Sequence, residues 1–347
     1  MSDLAAVQGF DTLWAPVGGR RVSDAPVLGA GHGGRGEVKA RLARVVARAP
    51  EVMVKITGKT RDGAHLQAHL AYISRDGTLT LEGRDGERLE GLKAVRELGA
   101  DWAAEDLRRR KDAALSLSLV LSMPPGTDEL RMRDAARAFA RETFADRHDY
   151  AFALHTDAGH PHVHLSVRSL GEHGRRLNPR KADLEEWRAT FARALRERGI
   201  AAEATLRRTR GITRKAERTA VRKIRERYEK GRGEPPRVTR AAYREAAAIV
   251  RTGERGDRPW ESRILKRQQA VRTAYGEAAR ALARSGDAED RRLAEQVRRF
   301  VDSLPEPSTR RNELVRAMRA LSGDERGREA AGLRRGARDA SPGGRER

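Results

Sequence analysis

The sequence contains no cysteine. Disulfides, thiolate zinc sites and cysteine nucleophiles are therefore excluded together, and any bound metal has to sit on histidine or carboxylate. It also has no apolar run approaching the roughly 18 residues that a membrane span requires. The N-terminus shows no basic stretch leading into an apolar segment, so export is not expected. These absences read as a cytoplasmic protein with no membrane insertion. Anionic residues are in short supply too: 72 lysines and arginines face 50 aspartates and glutamates over 347 residues, a formal net charge of +22. Such a field gathers polyanions, which makes nucleic acid the expected partner. Charge alone fits a histone-like or ribosomal protein equally well, so it names the partner and not the chemistry.

With 38% hydrophobic residues, a chain of this length can build one sizeable core and a second, less regular region. Residues 1–48 include the glycine-rich segment 29–36 and little apolar periodicity before Val38, so a flexible leader is expected there. Residues 49–212 carry the clearest patterning and are expected to form a catalytic domain. Beyond them, 213–347 read as a basic, mainly helical C-terminal region with a thin core. Its approach is already basic, with twelve Lys/Arg against three Asp/Glu between Arg207 and Arg232.

Within 49–212 the run Val52 to Ile56 predicts a strand closed by Gly58, and a helix is expected from Gly63 to Arg75. Leu66, Leu70 and Ile73 form its apolar stripe, while His65, His69 and Tyr72 recur on a neighbouring face. Leu115, Leu117, Leu119 and Leu121 alternate with polar or smaller residues, the period of a strand whose Ser122 points away from the leucines. Thr127 is placed to cap a helix running to Phe144. Strands are expected near Tyr150 to His155 and Pro161 to Leu170, followed by a helix from Asp183 to Arg198 that presents Leu184, Trp187, Phe191 and Leu195. The result is a sheet with interspersed helices.

Six of the nine histidines lie between His148 and His173. If the two strands are antiparallel neighbours, Phe152 and Leu154 share the core face with Val163, Leu165 and Val167. His155, His162 and His164 then share the opposite face and form a three-imidazole platform with open coordination positions, as metal-assisted catalysis needs. His160 has the same parity and is an alternative third ligand or an orienting group. Asp157 is a candidate for orienting an imidazole or accepting a proton, and equally an ordinary turn aspartate.

These motifs, in this order, resemble the tyrosine relaxases of mobilisable plasmids, the MobA and Vir class of HUH endonucleases, over roughly residues 50–215. Leu70-Ala71-Tyr72-Ile73-Ser74-Arg75 is similar to the family's nucleophile helix. Val120-Leu121-Ser122-Met123-Pro124-Pro125-Gly126 resembles its second motif, the histidine cluster is the third, and Leu177-Asn178-Pro179-Arg180-Lys181 looks like a further family feature. The resemblance implies an α+β fold: an antiparallel-sheet relaxase core with flanking helices, followed by a helical, basic C-terminal region. It assigns Tyr72 as nucleophile and places Ser122 near the DNA. It also implies Mg²⁺ or Mn²⁺ on the histidines, with Asp157 or His160 as the assisting base. Arg75, Arg168, Arg180 and Lys181 are expected to position phosphates. The implied activity is site- and strand-specific nicking and rejoining of plasmid DNA through a 5′-phosphotyrosyl bond, initiating conjugative mobilisation. The implied partners are single-stranded DNA at a transfer origin, accessory relaxosome proteins and a coupling protein, and the enzyme could travel with the transferred strand.

Three other readings share part of this evidence in the chain. A rolling-circle replication initiator has the same histidine strand, but its tyrosine follows the histidines, whereas Tyr72 precedes them. A metal-dependent hydrolytic nuclease needs no tyrosine at all. A non-catalytic DNA-binding protein with structural zinc needs a closed four-ligand site.

Overall fold

The computed structural model describes residues 35–106, 110, 112–212, 217–254, 256 and 258–321. The chain divides into two compact units between Leu206 and Arg207. In the first unit, α1 (Arg35–Val46) is followed by β1 (Met53–Thr60), α2 (Gly63–Ile73), β2 (Leu81–Gly83), β3 (Arg88–Leu89) and α3 (Gly91–Ala104). Then come β4 (Ser116–Ser122), α4 (Glu129–Phe144), β5 (Tyr150–His155), β6 (His162–Arg168) and α5 (Lys181–Arg196). The strands form one antiparallel sheet in the order β1-β4-β6-β5-β2-β3. This is an α+β fold.

Helices cover both faces of the sheet. On one face Leu117, Leu119 and Leu121 of β4, Phe152 of β5 and Val163, Leu165 and Val167 of β6 pack with Phe139 and Phe144 of α4 and with Trp187, Phe191 and Leu195 of α5. On the other face Ala151 and Ala153 meet Leu66, Leu70 and Ile73 of α2 and Val95 and Trp102 of α3. The strand alternation of period two sorts these two sets without exception in β5 and β6. Leu115 follows the parity of the other leucines, yet it precedes the strand and packs in the second cluster. All seven residues of β4 are buried because its second face is also roofed, and there Thr60 Oγ1 and Ser116 Oγ satisfy each other at 2.7 Å.

The structure corrects four sequence expectations. Residues 35–46, inside the expected flexible leader, form helix α1: Leu42 and Val45 are buried, and Arg44 Nε donates to Glu203 Oε2 at 2.7 Å. Apolar periodicity was weak there, but two buried side chains and an ion pair to a buried carboxylate suffice to hold a short helix. Residues 1–34 lie outside the described residues. Gly58 does not close β1; the strand runs to Thr60 with a register shift between Ile56 and Gly58, a bulge that a glycine accommodates readily. The cap of α4 is Asp128, whose carboxylate accepts from Arg131 N, while the Thr127 hydroxyl donates to Pro124 O at 2.9 Å instead. The first unit also ends earlier than 212, since the Thr209 carbonyl accepts a 2.7 Å bond from Tyr275 Oη in the second unit.

That second unit is helical: α6 (Thr219–Glu229), α7 (Arg237–Thr252), α8 (Pro259–Ala283), α9 (Ala288–Asp302) and a further helical stretch at 310–321. Its core lies mainly between α8 and α9, where Val271, Tyr275 and Leu282 meet Leu293, Val297 and Phe300.

Candidate active site

The site is built on the ends of two strands. In the antiparallel register His155 opposes His162, which in turn opposes Ser122, and Ala153, His164 and Val120 form the next row. Antiparallel partners project to the same face, so three imidazoles and the Ser122 hydroxyl converge on the side away from Leu154 and Val163. One nitrogen from each of His155, His162 and His164 lies within 4.8 Å of the others. His160 stands outside that group: it is half-buried, its Nδ1 faces the Ala158 carbonyl at 3.0 Å and its ring is 5.5 Å from His162.

Hydrogen bonds set the tautomers. A carbonyl oxygen can only accept, so His155 Nε2 carries the proton it donates to Ile73 O at 2.7 Å. His155 Nδ1 is then a lone pair, and it is buried without a partner. By the same logic His162 Nδ1 donates to His160 O at 3.2 Å, leaving its Nε2 basic. Burial pushes His155 below its ordinary pKa, against the Ile73 carbonyl, which favours the charged ring. Burial, and then the neighbouring His155 and His162, push His164 down to about 3. At neutral pH these two rings are uncharged donors. An unpartnered buried acceptor such as His155 Nδ1 is costly unless something electropositive meets it. With a nitrogen from each of His162 and His164 close by, the three fit a divalent cation with positions left open.

Tyr72 arrives on α2. Asp62 caps this helix by accepting from His65 N at 2.7 Å, and Leu66, Leu70 and Ile73 anchor it to the sheet. One position from the end of the buried stripe, Tyr72 is 55% exposed, its ring edge-on to His164 at 5.8 Å and its face 5.5 Å from the Arg75 guanidinium. The helix ends earlier than expected, at Ile73, because Arg75 and Asp76 turn into the left-handed region at φ 52° and 54°. Gly77 completes the turn at φ 84°; a Cβ there would lie 2.2 Å from Leu92 N, so only glycine fits. The turn aims Arg75 at Asp157, and the two form an ion pair. Desolvation raises the Asp157 carboxyl, but the Arg75 guanidinium more than reverses this and holds it below the usual carboxylate range. Asp157 thus bonds Arg75 and not an imidazole.

Three residues expected to bind phosphate are not brought here. Arg168 has the right parity but sits at the other end of β6, 7% exposed and paired with Glu105 and Asp149. Arg180 and Lys181 begin α5 beside Asn178, Pro179 and Asp183, which line a cavity of about 500 Å³ with His148 and Gly171 at that same far end. Two contributors went unassigned by sequence: the Ile73 carbonyl, which no sequence pattern could show, and His69. His69 shares the Tyr72 face of α2, its Nε2 is buried without a partner, and burial followed by nearby His65 lowers its pKa to about 4. The spacing of His65, His69 and Tyr72 was the signal for it.

The family model of the MobA/VirD2-like relaxase nuclease domain matches residues 72–200, from the exposed tyrosine through all three histidines. That match is a likeness over 129 of the chain's 347 residues. Among curated proteins, the T-DNA border endonuclease VirD2 of Rhizobium radiobacter is 31% identical over 187 residues, covering 47% of this chain and 43% of that protein. The protein of the same name from Agrobacterium fabrum is 30% identical over 209 residues, covering 50% and 46%. The chain therefore matches somewhat under half the length of these relatives. A solved structure from work titled "Molecular Basis of Vancomycin Resistance Transfer in Staphylococcus aureus" aligns at 14% identity with a TM-score of 0.31, covering 45% of this chain and 98% of that one. The matched residues all lie in the unit that holds the three histidines. Among the described residues no helix is long and apolar enough to cross a membrane.

Proposed function

We propose that this relaxase domain nicks and rejoins one strand of plasmid DNA at a transfer origin through a 5′-phosphotyrosyl bond on Tyr72, and thereby initiates conjugative mobilisation. The observation that carries the proposal is the exposed Tyr72 ring set edge-on against His164, beside the imidazoles of His155 and His162. The relatives' name, border endonuclease, supports cutting at a defined DNA site.

In the proposed reaction the Tyr72 oxygen forms a bond to the scissile phosphorus while the bond from phosphorus to the 3′ oxygen breaks. The phenol gives up its proton, and the departing oxygen takes one up to become a 3′ hydroxyl. The reverse exchange reseals the strand and frees the tyrosine. His155, His162 and His164 would hold Mg²⁺ or Mn²⁺, which supplies positive charge beside the non-bridging phosphate oxygens. Arg75, over the Tyr72 ring, offers a second cation to the same phosphate if it exchanges Asp157 for it. Asp157 and His160 remain the proposed proton acceptors, with Ser122 close to the strand in the row of His162. The partners proposed are single-stranded origin DNA, accessory relaxosome proteins and a coupling protein.

The test is a nicking assay on end-labelled single-stranded origin oligonucleotides with Mn²⁺ or with EDTA. The proposal expects metal-dependent cutting that leaves a 3′ end a polymerase can extend and a 5′ end blocked to kinase and exonuclease. A free 5′ phosphate would instead establish hydrolysis by water.

A further inference from the structure

The edge strand β1 lies two strands from the histidines and has been given no role so far. In the sheet register Met53 opposes Ser122, and Lys55 opposes Val120, so the rows run Met53-Ser122-His162-His155 and Lys55-Val120-His164-Ala153. Met53 and Lys55 therefore project from the face that carries the histidines, on the one flank of the site where the sheet ends. At about 4.8 Å per strand, each is roughly 10 Å from its histidine.

Two features set these side chains apart. Met53 is 44% exposed, and among the described residues of the first unit the exposed large apolar ones are Met53, Tyr72 and Leu130; two of the three border the histidine row. Lys55 is exposed and has no ion-pair partner among the described residues. An exposed thioether and an unpaired ammonium at 2-residue spacing on one face suit a polynucleotide. The flexible, polarisable methionine can lie against base faces, and the lysine can meet the phosphate alongside. Helix α2, which carries Tyr72, packs against β1, so a strand crossing the histidine platform has this edge as its continuation.

We infer that β1 is a binding track for the single-stranded DNA flanking the scissile phosphate, with Met53 contacting a base and Lys55 a backbone phosphate. This rests on the reading that the strand is cut at Tyr72, and it adds where the neighbouring nucleotides lie. The chain's lack of cysteine allows a direct test. Full-length variants Met53→Cys, Lys55→Cys, Tyr72→Cys and Leu130→Cys each carry a unique exposed thiol, whose rate of maleimide labelling is measured with and without a thymidine oligonucleotide. The track predicts that the oligonucleotide slows labelling at positions 53, 55 and 72 several-fold and leaves position 130, on α4 across the sheet, unchanged. Protection at 72 without protection at 53 and 55 overturns the track and leaves the nicking proposal standing. No protection at any of the three overturns the track, and the nicking proposal is then judged on the origin oligonucleotide alone. Equal protection at all four means that DNA coats the surface generally, which also overturns the track.

Discussion

At the scale of single residues, the platform separates ligands from bystanders. His155 and His164 present nitrogens to one point, whereas the His160 side chain bonds only the Ala158 carbonyl beside it, and it is the His160 main chain that His162 uses. Calorimetric titration with Mn²⁺ should therefore show His155→Ala and His164→Ala weakened by on the order of 100-fold or more, and His160→Ala almost unchanged. An equal loss in His160→Ala would make that histidine the third ligand. The same rings set an acid limit on stability. His164 and His69 have folded pKa values of about 3 and about 4, below the ordinary 6.5 that the unfolded chain would show. The unfolded state thus binds protons first, so this stabilisation is complete above pH 6.5 and is lost as pH falls toward 4. Thermal melts of metal-free protein should drop across that window, and His69→Gln should flatten the drop; an unchanged slope would contradict it. The face of the histidines was legible because a strand's period of two is rigid. The partner of Arg75 was not, because it depends on a turn with three successive positive φ values. Arg168 shows a different shortfall: parity named its face correctly, but its position at the far end of β6 beside Asp149 and Glu105 is set by tertiary packing.

At the scale of elements, the proposed nucleophile is aimed by the end of α2 and the sheet beneath it. Gly77→Ala must place a Cβ 2.2 Å from Leu92 N at a φ of 84°. It should lower the melting temperature and depress nicking more than the stability loss explains, since Arg75 and Tyr72 lie on the same turn. Normal nicking in a stably folded Gly77→Ala would show that the turn does not aim the tyrosine. Phe152→Ala, in the opposite layer, should cost about 3–5 kcal/mol in denaturant unfolding while leaving metal binding to the remaining folded protein intact. The strands and helices of both layers were readable from alternation and from the stripes of Leu66-Leu70-Ile73 and Trp187-Phe191-Leu195. Helix α1 was not, since it is held by Arg44 and the distant Glu203 and not by its own pattern. The bulge in β1 was likewise hidden, because Gly58 reads locally as an ending.

At the scale of the whole molecule, the charge is divided unevenly. Residues 207–321 hold 32 Lys/Arg and 16 Asp/Glu, most of the net +22. The proposed cutting site belongs to one unit and the bulk of the positive field to the other. Binding of full-length protein to single-stranded DNA should weaken steeply with salt, at about 0.7 log units per log unit of salt for each phosphate contacted. A truncation after Leu206 should show a distinctly shallower slope while retaining Mn²⁺ affinity; equal slopes would mean the second unit is not in contact with the DNA. Composition pointed to a nucleic-acid partner at once, but only the motifs and the fold point to the residues proposed to cut it. The most direct measurement incubates full-length protein and Tyr72→Phe with an internally labelled origin oligonucleotide and Mn²⁺, then resolves the products on a denaturing protein gel. The account predicts a DNA-shifted protein band from the unaltered chain alone, with the nucleotide mass on the peptide containing Tyr72. Cutting by Tyr72→Phe, or cutting by the unaltered chain with no shifted band, would contradict it.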